Sequence, residues 1–66
     1  MSNRAIQCVI REHQDGTRDL AVTDTPVRNE TAYLNAICKY EDLADAVLVS
    51  LTQDQIAAWR RAAAAV

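Results

Sequence analysis

The N-terminal third of the chain alternates apolar and polar positions, which predicts a β-hairpin. A period of two residues is typical of strands with one buried face. The turn signal His-Gln-Asp-Gly-Thr separates the two runs, so we place the hairpin at about residues 4–24. The apolar positions of the two runs are Ile6, Cys8 and Ile10, then Leu20 and Val22.

The loop of this hairpin follows from the pairing that it imposes. A two-residue turn would put Leu20 opposite Arg11, whereas a three-residue loop, residues 14–16, puts Leu20 opposite Ile10. Because register follows the buried face, we choose the three-residue loop. Gly16 then lies where a left-handed residue closes a type I turn with a bulge. The same register pairs Cys8 with Val22, Glu12 with Arg18 and Arg11 with Asp19.

Two helices are predicted to follow the hairpin. Pro26 ends the second strand because it has no N–H for the ladder. Helix one then begins at Thr25 or at Asn29, either of which can cap it. We place it at about residues 29–50, and a break near Lys39–Asp42 stays open.

Helix two carries the strongest local signal in the chain. Thr52 and Gln55 have the spacing of a capping box, and Leu51 and Ile56 flank them as a hydrophobic staple. We place this helix at about residues 53–65. The predicted fold is therefore α+β with the order strand, strand, helix, helix (ββαα).

Helix one carries more apolar surface than one face of a small domain can cover. Apolar residues beside its main stripe suggest that two of its sides are buried. Helix two offers only Ile56, Trp59 and alanines for the second side. We therefore predict a homodimer through the long helix; a monomer in which helix two folds back is the alternative. The predicted dimer interface is a seam with spacings of 4, 3, 4, 3 and 4 residues, formed by Tyr33, Ile37, Tyr40, Ala44, Val47 and Leu51.

The composition is that of one small domain, residues 1–66. We predict that this domain gains stability from a partner chain. The 66 residues include two cysteines, one histidine and one glycine. A chain this short buries little surface, and such domains commonly add disulfides, a metal or a second chain. Two cysteines are too few for a disulfide scaffold, and Cys8, His13 and Cys38 do not have the spacing of a zinc site. We expect no metal and no cofactor.

Charge and hydropathy narrow the class of partner. A net charge of −2 disfavours nucleic acid and anionic membranes, because both require a basic surface. No apolar run is long enough to span a membrane, so we expect no membrane association. The start at Met1, the free-looking thiols and the missing export signal indicate a cytoplasmic protein.

Candidate chemistry in the sequence is sparse, and we predict that the protein is not an enzyme. A single glycine excludes a glycine-rich phosphate loop. Glu41, Asp42 and Asp45 lie close together in the predicted helix, but the sequence provides no concave pocket around them. We interpret these carboxylates as a solvated acidic strip.

The residue types favour a protein-binding module. Trp59, Arg60 and Arg61 are of the types that anchor protein interfaces. We predict that they bind a protein partner together with the acidic strip Glu41, Asp42 and Asp45. In general make-up the chain is similar to small phage or mobile-element proteins that block host machinery. This similarity implies an inhibitor that occludes a surface of a host (defence) protein.

Two other functions stay open. The first is a small DNA-binding regulator or antitoxin that uses the hairpin arginines Arg4, Arg11 and Arg18. The second is a small-ligand sponge with a pocket at the dimer junction around Tyr33 and Tyr40.

Overall fold

The computed structural model describes residues 4–23 and 25–64. The order of elements is ββαβα, so the α+β class is confirmed and the predicted ββαα order is wrong. Positions 24 and 65, at the ends of the predicted hairpin and of helix two, lie outside the described residues. The elements are β1 (Ile6–His13), β2 (Arg18–Val22), α1 (Glu30–Tyr40), β3 (Leu43–Leu51) and α2 (Gln53–Ala64).

The hairpin adopts the predicted register. His13 N donates to Thr17 O at 2.8 Å, which closes the three-residue loop, and Gly16 N donates to His13 O at 2.9 Å. Gly16 has φ 89°, a conformation that glycine adopts without steric cost. All four predicted cross-strand pairs are present: Cys8 with Val22, Ile10 with Leu20, Arg11 with Asp19 and Glu12 with Arg18.

Helix one is shorter than predicted, and its second half is a strand. Asn29 caps α1, and its side chain accepts a hydrogen bond from Ala32 N at 3.1 Å. The helix ends at Tyr40, within the possible break at residues 39–42. Asp42 has φ 55°, a left-handed conformation that aspartate tolerates better than most residues. The prediction of a helix over residues 29–50 is therefore wrong beyond Tyr40, where residues 43–51 pair with β1 instead.

The predicted dimer seam is consequently not one continuous stripe. Its members divide between a helix and a strand, and successive strand residues point to opposite faces of a sheet. The alternating spacings of three and four residues that form one stripe on a helix therefore do not form one stripe across α1 and β3. Tyr33, Ile37 and Tyr40 lie on α1, whereas Ala44, Val47 and Leu51 lie on β3. A dimer through one long helix is thus excluded by the fold, and the oligomeric state itself stays a prediction.

The three strands form one antiparallel sheet with β1 in the centre. The strand order is β2-β1-β3. Because both neighbours are antiparallel to β1, β2 and β3 run parallel to each other, and β2, α1 and β3 form a split βαβ unit. The β2–α1 connection is tied to β1, since Val27 N donates to Gln7 Oε1 at 2.7 Å. Ala44 bulges out of β3 opposite Glu12 and His13.

Each face of the sheet is covered by one helix. On the α2 face, the fully buried Cys8 packs with Leu20 and Ile56. On the α1 face, Val9 and its neighbours pack against one side of α1. Cys8 and Val9 are adjacent in β1 and are 0% and 1% exposed, so the central strand is buried on both sides. The α1 side chains in contact with this second cluster are Tyr33, Leu34, Ile37 and Cys38.

Candidate partner-binding site

An open cleft lies between α2 and the end of β2. Its volume is about 620 Å³, and four of its six lining residues are apolar. Val22 is 45% exposed, so apolar surface is accessible from solvent at this point. A concave apolar surface with a few polar groups is the usual form of a binding site. The lining residues are Ile6, Val22, Gln53, Ile56, Ala57 and Arg60.

The position of α2 is set by the capping box that the sequence predicts. Thr52 N donates to Gln55 Oε1 at 2.8 Å, and Gln55 N donates to Thr52 Oγ1 at 3.2 Å. Leu51 and Ile56, the predicted staple, belong to the same apolar cluster on the α2 face. With the first turn held in this way, helical periodicity brings residues 53, 56, 57 and 60 to the cleft.

Arg60 lies at the rim of the cleft and contacts the outer edge of β2. Its Nη2 donates to Leu20 O at 3.3 Å. Thr23 N donates inward to Gln7 O, and because antiparallel pairs alternate, the Leu20 carbonyl points away from β1. Within the described residues, no carboxylate lies within ion-pair distance of Arg60 or Arg61. The cleft therefore has a cationic rim with donors to spare.

The two cysteines are free and lie on opposite sides of the sheet. Cys8 is on the α2 face, and Cys38 lies on α1, which packs on the other face. Burial raises the pKa of the Cys8 thiol, and the charge of nearby Arg60 acts in the opposite direction. A thiol with a raised pKa is protonated at neutral pH and is a poor nucleophile. Cys8 therefore acts as a small apolar core residue.

The structure separates the two halves of the predicted partner surface. Trp59 packs half-buried against the α2-face cluster, while Arg60 and Arg61 are exposed on the same helix. The acidic residues lie around the α1–β3 connection: Glu41 and Asp42 between the elements, and Asp45 on β3. Glu41 bonds to Arg11 on the α1 face, away from α2. The cleft accordingly contains Arg60 but none of the predicted acidic residues.

An ion-pair network on the α1 face joins the hairpin to the end of α1. Arg11 Nε donates to Asp19 Oδ1 at 2.6 Å, and Arg11 Nη1 donates to Glu41 Oε1 at 2.9 Å. His13 Nε2 lies 2.8 Å from Asp19 Oδ2. The hydrogen bond from Arg11 is the main cause that lowers the pKa of Asp19; burial opposes it, and His13 adds to it. Sequence reasoning found the Arg11–Asp19 pair but missed Glu41, which it placed inside a helix.

Two of the three hairpin arginines proposed for DNA contacts are engaged with carboxylates. Arg11 bonds to Asp19 and Glu41, and Arg18 Nε lies 3.5 Å from Glu12 Oε1. Neutralised guanidinium groups attract phosphates less strongly. The hairpin is therefore a weaker candidate for binding than the rim of the cleft.

Several cleft residues were not predicted as site residues. Ile6 and Val22 were predicted only as apolar positions of the hairpin, and in the structure they lie on the face that α2 covers. The signal that could have indicated the cleft is the spacing of Gln53, Ala57 and Arg60 on the best-defined helix. The spacing alone does not show which strand the helix meets.

No family model, curated protein or solved structure matches the chain. In the part of the chain that the structure describes, no group of three or more His, Cys, Asp or Glu residues is arranged to hold a metal ion. Over those same residues, no helix combines the length and apolar character needed to cross a membrane.

Proposed function

We propose that this chain is a small non-enzymatic protein-binding module, and that its partner inserts an apolar side chain next to a carboxylate into the cleft beside α2. The observation that carries this proposal is the combination of an open apolar cleft with Arg60 at its rim, whose guanidinium has N–H donors left beyond its bond to the Leu20 carbonyl. By occupying a functional surface of its partner, such a module acts as an inhibitor, in the manner of small phage or mobile-element proteins that block a host defence protein.

The apolar part of the cleft provides the contact area. Ile56 is 6% exposed and forms part of its wall, while Val22 is nearly half-exposed beside it. An aliphatic or aromatic side chain of the partner would remove this surface from water, which contributes about 25 cal/mol per Å² of apolar area before the entropic costs of association are subtracted. The cleft therefore favours an apolar side chain of the partner but does not specify which one.

The Arg60 guanidinium group provides the charge selection. Arg60 keeps its position through the Leu20 carbonyl, and that contact uses one of its five N–H donors. The remaining donors suit the bidentate geometry of a carboxylate. Arg61, the next residue of α2, is also exposed but does not line the cleft. The preferred partner segment therefore carries aspartate or glutamate close to an apolar residue.

The groups that line the cleft are suited to binding and not to catalysis. They are four aliphatic side chains, one amide and one guanidinium. None of these is a nucleophile or a general base near neutral pH. No reaction step is therefore assigned to this site.

Selection from a random peptide display library tests the proposal, with the peptides that bind wild-type protein measured by fluorescence anisotropy. We expect enriched peptides to combine acidic and apolar residues. Ala57→Tyr fills the cleft and should weaken binding at least about tenfold, a loss of about 1.4 kcal/mol. Ala58→Tyr is the matched control, because Ala58 is also exposed on α2 but does not line the cleft.

A charge variant tests the rim separately. Arg60→Glu should also weaken binding at least about tenfold. Arg28→Glu makes the same charge change at an exposed arginine away from the cleft and should have little effect. Enriched peptides without acidic residues, binding that is insensitive to both Ala57→Tyr and Arg60→Glu, or no enrichment over an empty surface would each overturn the proposal.

A further inference from the structure

The two edges of the sheet differ in how they are protected. β2 has only five residues, carries Arg18 and Asp19, and has its Leu20 carbonyl occupied by Arg60. β3 has nine residues and contains no lysine, arginine or proline. Short length, charge and covered backbone groups are the usual devices that keep a sheet edge from pairing with another chain. β2 has these devices, and β3 lacks most of them.

The hydrogen-bonding pattern identifies the backbone groups on the free edge of β3. Thr23 N donates to Gln7 O, so residues 7, 9, 11 and 13 of β1 bond to β2. Residues 6, 8, 10 and 12 of β1 bond to β3 instead. The β3 residues opposite them, 51, 49, 47 and 45, therefore point their N–H and C=O groups toward β1. The outward-facing residues are therefore Ala46, Leu48 and Ser50.

One of these outward groups is already covered. The Asp45 carboxylate accepts a hydrogen bond from Ala46 N at 2.9 Å. Within residues 4–23 and 25–64, the structure assigns no partner to the outward N–H and C=O groups of Leu48 and Ser50 or to the Ala46 carbonyl. Five backbone groups in a row are thus available to a strand from another chain.

We infer that the free edge of β3 pairs antiparallel with β3 of a second copy of this chain, around a two-fold axis at Leu48. The axis is perpendicular to the sheet, so each face of one copy continues into the same face of the other. Three hydrogen-bonded pairs then form, Leu48 with Leu48 and each Ala46 with the Ser50 opposite. These pairs contain six hydrogen bonds in all. Four of the six form without the Ala46 N–H groups, which can keep their bonds to Asp45. The product is a six-stranded sheet.

The side chains of β3 complement themselves in this register. On the α2 face, Val47 lies opposite Val49 of the second copy, and Asp45 lies opposite Leu51. On the α1 face, Leu48 meets its own counterpart. Like charges directly opposite each other would destabilise the pair, and this register places none in that position. Val47 is 47% exposed in the single chain and becomes covered in the pair.

This dimer is independent of the proposed cleft. The cleft lies beside β2, and the inferred interface lies on β3 at the other side of the sheet. Two copies joined through β3 would therefore present two clefts. The interface also replaces the predicted helix seam: of the seam residues, Val47 and Leu51 contribute to it as strand residues.

Sedimentation equilibrium with a reductant present tests the inference at up to about 100 μM chain, where a pair with a micromolar Kd is mostly associated. We expect twice the 7.3 kDa mass of the single chain. Val47→Lys places like charges diagonally across the axis and should raise the Kd at least about tenfold. Val22→Lys is the control, since Val22 is 45% exposed on the same face of the other edge strand.

A second variant removes a backbone donor without adding charge. Ser50→Pro deletes an outward N–H, and proline is tolerated on an edge strand where the N–H faces solvent. It should also shift the chain to monomer, with far-UV circular dichroism confirming that the fold is kept. A wild-type monomer at about 100 μM would overturn the inference. A dimer that withstands both Val47→Lys and Ser50→Pro would overturn it as well.

Discussion

The side chain of Val9 packs between the central strand and α1. Shortening it is the most direct test of whether the sheet has a packed core on both faces. Val9 is 1% exposed and packs with Leu43 and Ala46 on the α1 face. Val9→Ala removes two buried carbon groups, worth about 0.8 kcal/mol each in transfer from water. The cavity left behind adds about 1 kcal/mol when the surroundings do not collapse. We expect a loss of about 2–3 kcal/mol in the free energy of unfolding.

This loss is large for a chain of this length. Stabilities of about 0.05–0.15 kcal/mol per residue give about 3–10 kcal/mol for the whole domain. A loss of about 2–3 kcal/mol corresponds to a fall in Tm of about 10 °C or more. Val22→Ala makes the same chemical change at a nearly half-exposed position of an edge strand, so it should cost less than about 1 kcal/mol.

Urea denaturation followed by far-UV circular dichroism measures both variants at one fixed protein concentration, because association would add a concentration-dependent term. The midpoint should fall strongly for Val9→Ala and little for Val22→Ala, with unchanged slopes. Equal losses for the two valines would refute the reasoning, since the α1 face would then not be a packed core.

Three further predictions concern charge, backbone and capping. Arg11 holds the pKa of Asp19 below its unfolded value, so the pair stabilises the fold above about pH 4 and this contribution disappears as the pH falls. Asp19→Asn should therefore lower the Tm at pH 6, and its difference from wild type should shrink as the pH falls below about 4. Gly16→Ala should cost about 1–2 kcal/mol in urea denaturation, because φ is 89° although nothing lies within 4 Å of the added Cβ. In the same assay Asp42→Gly, at φ 55°, should gain about 0.5–1 kcal/mol. Thr52→Ala should lose about 1 kcal/mol in urea denaturation, whereas Thr52→Ser, which keeps the hydroxyl, should not.

The parts of the fold that were predicted correctly depend on short-range chemistry. The hairpin register follows from a loop of three residues and from alternation on either side of it. The start of α2 follows from the reciprocal bonds of Thr52 and Gln55, which lie three residues apart. In both cases the residues that decide the structure are close in sequence, so no knowledge of the distant chain is needed.

β3 was mistaken for helix because it carries apolar side chains that pack on both faces of the sheet. A strand that is buried on two sides reads as an apolar run and loses the alternation that identifies a half-buried strand. The run from Leu43 to Leu51 also contains leucine and alanine, which favour helices. Its β-branched residues, Val47 and Val49, and a polar break before Leu43 were the available contrary signals. The apolar residues that suggested a helix buried on two sides are those of a strand with apolar side chains on both faces.

The cleft could not be predicted because its walls come from distant parts of the chain. Ile6 and Val22 meet α2 only after the sheet has placed β1 and β2 under that helix. Arg60 was predicted as a contact residue from its type alone, and its bond to the Leu20 carbonyl spans 40 positions. Long-range contacts of this kind depend on the order of the strands in the sheet. Because β3 was predicted as helix, the predicted sheet had only two strands.

The arrangement of the two proposed surfaces makes a last prediction about their independence. Val47 lies on β3 and does not line the cleft, and Ala57 lies on α2 beside the cleft and outside the inferred interface. Substitutions at distant sites usually act additively. Val47→Lys should therefore weaken dimerisation and leave the affinity of one selected peptide unchanged, while Ala57→Tyr should do the reverse. A single substitution that removed both activities without unfolding the chain would show that peptide binding requires the dimer, and the two-site description would have to be abandoned.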